Sequence, residues 1–206
     1  MARVTRCSIG VLSLFAFTWI LPVQAAWKLE PDASHVDATV VEITPEGPVP
    51  HQHRIHQLEG SIDSEGNLSM PLRLNQLEAM ETLEPLPSWF SRVADRPAAT
   101  VITHIPPQRL DELAVGESLT ETLQFKAESQ VEKERQAPVE LRFTRESPDL
   151  IRVTNAQRIV LDGQQIMANS NARTILQLLG YEQLGDEIPI TLEAVLRNSD
   201  GMSDPE

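Results

Sequence analysis

Apolar and polar side chains alternate with a period of two through most of this chain, and that pattern leaves few folds open. Val36, Ala38 and Val40 share one parity, with Asp37 and Thr39 between them. Leu58, Gly60 and Ile62 alternate with Glu59 and Ser61, and Leu68, Met70, Leu72 and Leu74 with Ser69, Pro71 and Arg73. Leu119, Leu123, Phe125 and Ala127, then Val139, Leu141 and Phe143, then Ile188, Ile190, Leu192, Ala194 and Leu196 continue the series. Successive side chains of a strand point to opposite faces, so each run has one face for a core and one for water. Shorter strands are expected at Thr100 to Ile105, Leu150 to Thr154 and Arg158 to Leu161.

The punctuation agrees. Asp63-Ser64-Glu65-Gly66-Asn67 joins two alternating runs as a hairpin loop, and Asp162-Gly163 has the composition of a turn. Pro71 cannot donate a ladder hydrogen bond, which places it at an edge or a bulge. The charged run Glu128 to Gln136 is read as a hairpin end. One short helix is expected from a cap at Asn171 to Gly180, with Ala172, Ile175, Leu176 and Leu179 on one side. A second is expected after Ser88, with Trp89, Phe90 and Val93 together. The sum is an all-β antiparallel domain with one or two short helices. Periodicity alone does not separate a sandwich from a closed barrel.

The N-terminus has the order of an export signal. Arg3 and Arg6 precede an apolar stretch from Ile9 to Leu21, and Val23-Gln24-Ala25 offers a cleavage site after Ala25. The apolar run is shorter than the roughly 20 residues a spanning helix needs. The expected organisation is therefore residues 1–25 as signal peptide, 26–197 as the β domain and 198–206 as a disordered acidic tail, with a periplasmic location and no permanent membrane anchor. Cys7 would leave with the signal, which excludes disulfides and thiolate chemistry from the mature chain. Arg3 and Arg6 are two of the 17 basic residues; without them 15 face 30 acidic ones, a net charge near −15. Such a surface repels phosphate backbones, so no nucleic-acid partner is expected. A homodimer is compatible with everything the sequence contains.

Candidate chemistry is sparse. Ser34 and His35 are adjacent, which on a strand sends them to opposite faces. Ser61, Ser69 and Asp63 lie near turns without a nucleophile elbow, and Glu132 and Glu134 are interleaved with Lys133 and Arg135. No enzyme activity and no cofactor are expected. His51, His53 and His56 are the one group with metal-ligating chemistry. A regular strand puts His51 and His53 on one face and His56 on the other, so they are not expected to form a metal site. A histidine-based metal binder and a structural β domain with a filled core remain the alternatives to a ligand-binding protein.

Several stretches, in order, resemble the YceI-like family. Trp27-Lys28-Leu29-Glu30-Pro31 followed by Ser34 is similar to its opening, and His53 with Ile55, Leu58, Gly60 and Ile62 to its His, aromatic, Leu, Gly strand. Leu68-Ser69-Met70-Pro71-Leu72, Leu113 to Leu119 and Ile188-Pro189-Ile190-Thr191-Leu192 follow at matching positions. The resemblance spans Trp27 to Leu196. It implies an antiparallel lipocalin-like β-barrel that carries an isoprenoid or other long-chain apolar lipid, a polyprenyl chain or an isoprenoid quinone. In such a barrel, the apolar parity would turn Val36, Val40, Leu58, Leu72, Phe125, Leu141, Phe143 and Leu192 inward together as the ligand surface. Leu176 and Leu179 of the helix would lie near one end.

Overall fold

The computed structural model describes residues 27–83, 92, 94–128 and 135–198. The expected signal segment 1–25, the expected tail 198–206 apart from Asn198, and Trp89, Phe90 and Val93 of the helix expected after Ser88 lie outside the described residues. Eleven strands form one antiparallel sheet: β1 Trp27–Leu29, β2 His35–Thr44, β3 Gly47–Ile55, β4 Ser61–Ile62, β5 Asn67–Arg73 and β6 Pro97–His104, then β7 Ser118–Glu128, β8 Arg135–Ser147, β9 Leu150–Asn155, β10 Ile159–Asp162 and β11 Glu187–Asn198. Short helices among the described residues are α1 Pro107–Asp111, α2 Gly163–Ala168 and α3 Ser170–Leu178.

The sheet closes on itself. β1 pairs with β4 on one side and with β11 on the other, completing a circuit of eight strands through β5, β6, β7, β8 and β9. Farther along the barrel β2 takes over from β1 beside β11, with Val36 opposite Leu192, and β3 pairs with β2. The break between β1 and β2 is a 3-10 turn at Pro31–Ala33, and Ser34 repairs the ladder across it. The Ser34 hydroxyl, 1% exposed, accepts from the Val195 amide at 3.0 Å, while its carbonyl accepts from Leu58. Closure leaves the eight strands of the circuit paired on both sides along part of their length, while β3 and β10 each keep a single strand neighbour.

The turn chemistry behaves as expected at Asp63. Its carboxylate accepts from the amides of Glu65 and Asn67, and Gly66 takes the positive φ of +92° that the loop requires. A hydrogen bond from the Asn67 side-chain amide, together with those backbone bonds, holds the Asp63 carboxyl below the usual carboxylate range. Pro71 has a strand neighbour only in β6, since β4 has ended, and the ladder shifts register after Leu72. Asp162 and Gly163 do not form a hairpin turn. Asp162 accepts from the Gln165 amide at 3.0 Å and so caps α2. A Cβ on Gly163 would run into the Gly185 carbonyl oxygen, which explains the glycine.

The helix expected from Asn171 starts earlier. α3 begins at Ser170, and Asn169 supplies the cap by accepting from the Ala172 amide at 2.9 Å. Asn169 and Asn171 are both good capping residues, and the end of α2 at Ala168 selects the first. The C-terminus is as expected: Gly180 has φ +94°, and the Tyr181 amide donates back to Leu176 at 2.9 Å. β11 runs on to Asn198, which pairs with Trp27.

Candidate ligand-binding site

Inside the barrel the apolar residues do not form one surface. Leu58, Leu141 and Phe143 belong to the main core, and Val36, Leu72, Phe125 and Leu192 pack against it. Val40 belongs to a second cluster with Tyr181, Leu184 and Ile188, against which Leu176 and Leu179 pack. Leu179 also reaches a third, small cluster around Met80 and Ala94. The residues expected to line the interior are thus divided between a deep body and a layer beneath α3.

One end of the barrel is sealed. Trp27, Ile62, Leu110 and Ile151 are fully buried there, with Leu196 between strands β1 and β9. Leu110 comes from α1, a helix that periodicity did not mark because it has only one full turn. Arg145 holds α1, its guanidinium donating to the carbonyls of Leu110 at 3.1 Å and Leu113 at 3.3 Å and lying 5.6 Å from the Trp27 ring centroid. That combines hydrogen bonds to the orphan carbonyls of a helix end with a cation–π contact.

Burial falls off toward the other end. Val36, Ile55, Leu72, Val101, Phe125, Val139 and Leu192 pack against the core yet are only half-buried. A side chain that faces into a closed barrel and keeps accessible surface borders space rather than protein. Beyond these residues lies the mouth end, where α3 lies over β2 and the segment Glu78–Leu83 and where Val40, Tyr181, Leu184 and Met80 are buried again.

The mouth also carries the polar groups. In β3, Ile55, His53 and His51 share one face, opposite Val36, Ala38 and Val40 of β2. Ile55 touches the deep core, whereas His53 shares a 2.6 Å hydrogen bond with the Tyr181 hydroxyl. Both imidazoles meet the Tyr181 ring edge-on, at 5.3 Å for His51 and 5.6 Å for His53. His51 Nε2 lies 3.1 Å from Glu42. Burial, reinforced by the neighbouring His51, pushes the His53 pKa below its usual value. Burial and then Glu42 push the Tyr181 pKa up. His56 turns elsewhere, 3.2 Å from Glu81. The three histidines therefore do not converge, and among the described residues no group of three or more His, Cys, Asp or Glu is placed to hold a metal ion. Tyr181 could not be assigned to this group from the sequence, since it lies 128 residues from His53 along the chain.

Ser34 serves the backbone, and Asp63 serves its own turn; neither faces a base. Among the described residues no helix is long and apolar enough to cross a membrane.

The chain matches no family model and no curated protein. Its structure does find a counterpart. A polyisoprenoid-binding domain from Saccharophagus degradans, implicated in plant cell wall breakdown, superposes with a TM-score of 0.66 at 18% identity, covering 85% of this chain and 99% of that one. The motif order along the sequence and the closed antiparallel barrel thus agree: the chain shares the barrel fold of that polyisoprenoid-binding domain.

Proposed function

We propose that this protein is a periplasmic binding or carrier protein that holds a long apolar lipid of isoprenoid type inside its barrel. One observation carries the reading: the inward-facing aliphatic surface is fully buried at the end sealed by Trp27 and α1 but only half-buried at Val36, Leu72, Phe125 and Leu192, below the layer where Val40 and Tyr181 are buried again under α3. An apolar chain entering there would leave water along its length, worth about 25 cal/mol per Å² of apolar area buried, less the cost of ordering it. The expected lining is Val36, Leu72, Phe125 and Leu192 around the chain, Leu58, Leu141 and Phe143 beneath it, and Val40, Leu176 and Leu179 where it leaves. That the structural counterpart is a polyisoprenoid-binding domain supports this choice of ligand. Export rests on the order of Arg3, Arg6, the apolar run and Ala25.

The test is mass spectrometry of lipid extracted from protein purified from the periplasm of its own host. A co-purifying isoprenoid in near-stoichiometric amount is the expected result. Folded protein that carries no lipid, or is recovered with its signal uncleaved from the cytoplasm, would contradict it.

A further inference from the structure

The strand face formed by Ile55, His53 and His51 changes character over a few residues. Ile55 sits against the deep core, and two imidazoles follow on the same side toward the mouth. A barrel that needed only to seal itself would continue the aliphatic series there. Instead the two histidines flank one buried phenol, Tyr181, which is 5% exposed, and Glu42 closes the group from β2. Val40, packed with Tyr181, keeps this polar group in contact with the aliphatic surface that α3 covers.

We propose that Glu42, His51, His53 and Tyr181 form a head-group site at the barrel mouth, one that takes an uncharged oxygen head, a hydroxyl or a carbonyl, on the end of an apolar chain and turns away a phosphate. The inference rests on the reading of the barrel as a holder of an isoprenoid-type chain. The Tyr181 hydroxyl can donate one hydrogen bond and accept two, and its one partner, His53, leaves capacity for a ligand oxygen. Each imidazole has a second ring nitrogen besides the one engaged with Tyr181 or Glu42. The site can therefore match a head that both donates and accepts.

The electrostatics favour neutrality. Burial keeps His53 uncharged and Tyr181 protonated at neutral pH. The members of the group include one carboxylate, Glu42, and no Arg or Lys, and Glu78 adds a further negative charge toward His53. The nearby Arg54 belongs to the other parity of β3 and is held by Asp37 through two hydrogen bonds of 2.7 and 2.9 Å. A phosphate would lose its hydration and meet a carboxylate without gaining the fixed cation that phosphate sites employ.

The experiment uses delipidated, refolded full mature chain and three probes of equal isoprene count: a polyprenol, its monophosphate and the parent hydrocarbon. Native mass spectrometry reads the bound fractions for wild type, Tyr181→Phe and His53→Leu. The polyprenol should bind at least about 10-fold more tightly than the phosphate. Each substitution should shrink the polyprenol-to-hydrocarbon ratio by about 2- to 10-fold, the size of one net hydrogen bond. Should His53→Leu fail to fold, Tyr181→Phe removes a single oxygen and carries the test alone. Phosphate bound as well as the alcohol, or a ratio that does not move in the variants, overturns the head-group site while the carrier reading stands. Folded protein that binds none of the three probes overturns both.

Discussion

His53 shows how much a single position can combine. Its parity in β3 is set by period two, and so it shares a face with His51, as the sequence indicates. Its partner Tyr181 comes from the residue after Gly180, and no local pattern links the two. The pair has a consequence for stability. Burial lowers the folded-state pKa of His53 below the usual 6.5, so the unfolded chain binds more protons as pH falls. Stability from this site is complete above about 6.5 and is lost as pH drops from there through the depressed folded value. His53→Gln should remove that part of the slope. Urea midpoints of wild type and variant, measured between pH 7 and 5, should therefore lie farthest apart at the top of the range and converge below it. Parallel midpoints would show that His53 is not held neutral.

At the scale of elements, strands were legible and the barrel's closures were not. Most of the main alternating runs are strands because their apolar parity had a common interior to fill, although the run from Leu58 is a strand only at Ser61–Ile62, and the short runs near 100, 150 and 159 are β6, β9 and β10. α1 escaped notice because Pro107–Asp111 is too short for a helical stripe, and its worth lies in Leu110 and in the carbonyls that Arg145 holds. The break at Pro31–Ala33 was equally silent, since it depends on a hydroxyl of Ser34 meeting an amide of β11. The seal can be tested directly. Arg145→Ala removes the donors to Leu110, Asp111 and Leu113 and the contact over Trp27. It should cost about 2–4 kcal/mol, since bonds to a charged donor are worth more than neutral ones and the packing of the stem is lost too. Chemical denaturation measures the loss, and a change within about 0.5 kcal/mol, the range of ordinary surface substitutions, would deny α1 and Arg145 the role of a plug.

The whole molecule has a direction. One end is dense around Trp27, Ile62 and Ile151; Val36, Leu72, Phe125 and Leu192 follow half-buried, and the far end is roofed by α3 over Val40 and Tyr181 with His51 and His53 beside them. Parity identified which strand side chains point inward, but it set Val40 on the same surface as Leu58 and Phe143, because depth along a barrel axis depends on register between strands distant in sequence. The central claim is that the upper interior takes an apolar chain, and the most direct measurement is polyprenol uptake by delipidated wild type and Leu192→Trp, with circular dichroism showing that both remain folded. Leu192 is half-buried against the core and lies opposite Val36, so the larger ring should occupy the space of the ligand at a modest cost in stability. About one chain per barrel for wild type, and a loss of uptake of about 10-fold or more in the variant, is the expected result. Folded wild-type protein that takes up no polyprenol, or a Leu192→Trp protein that takes up as much as wild type, would contradict it.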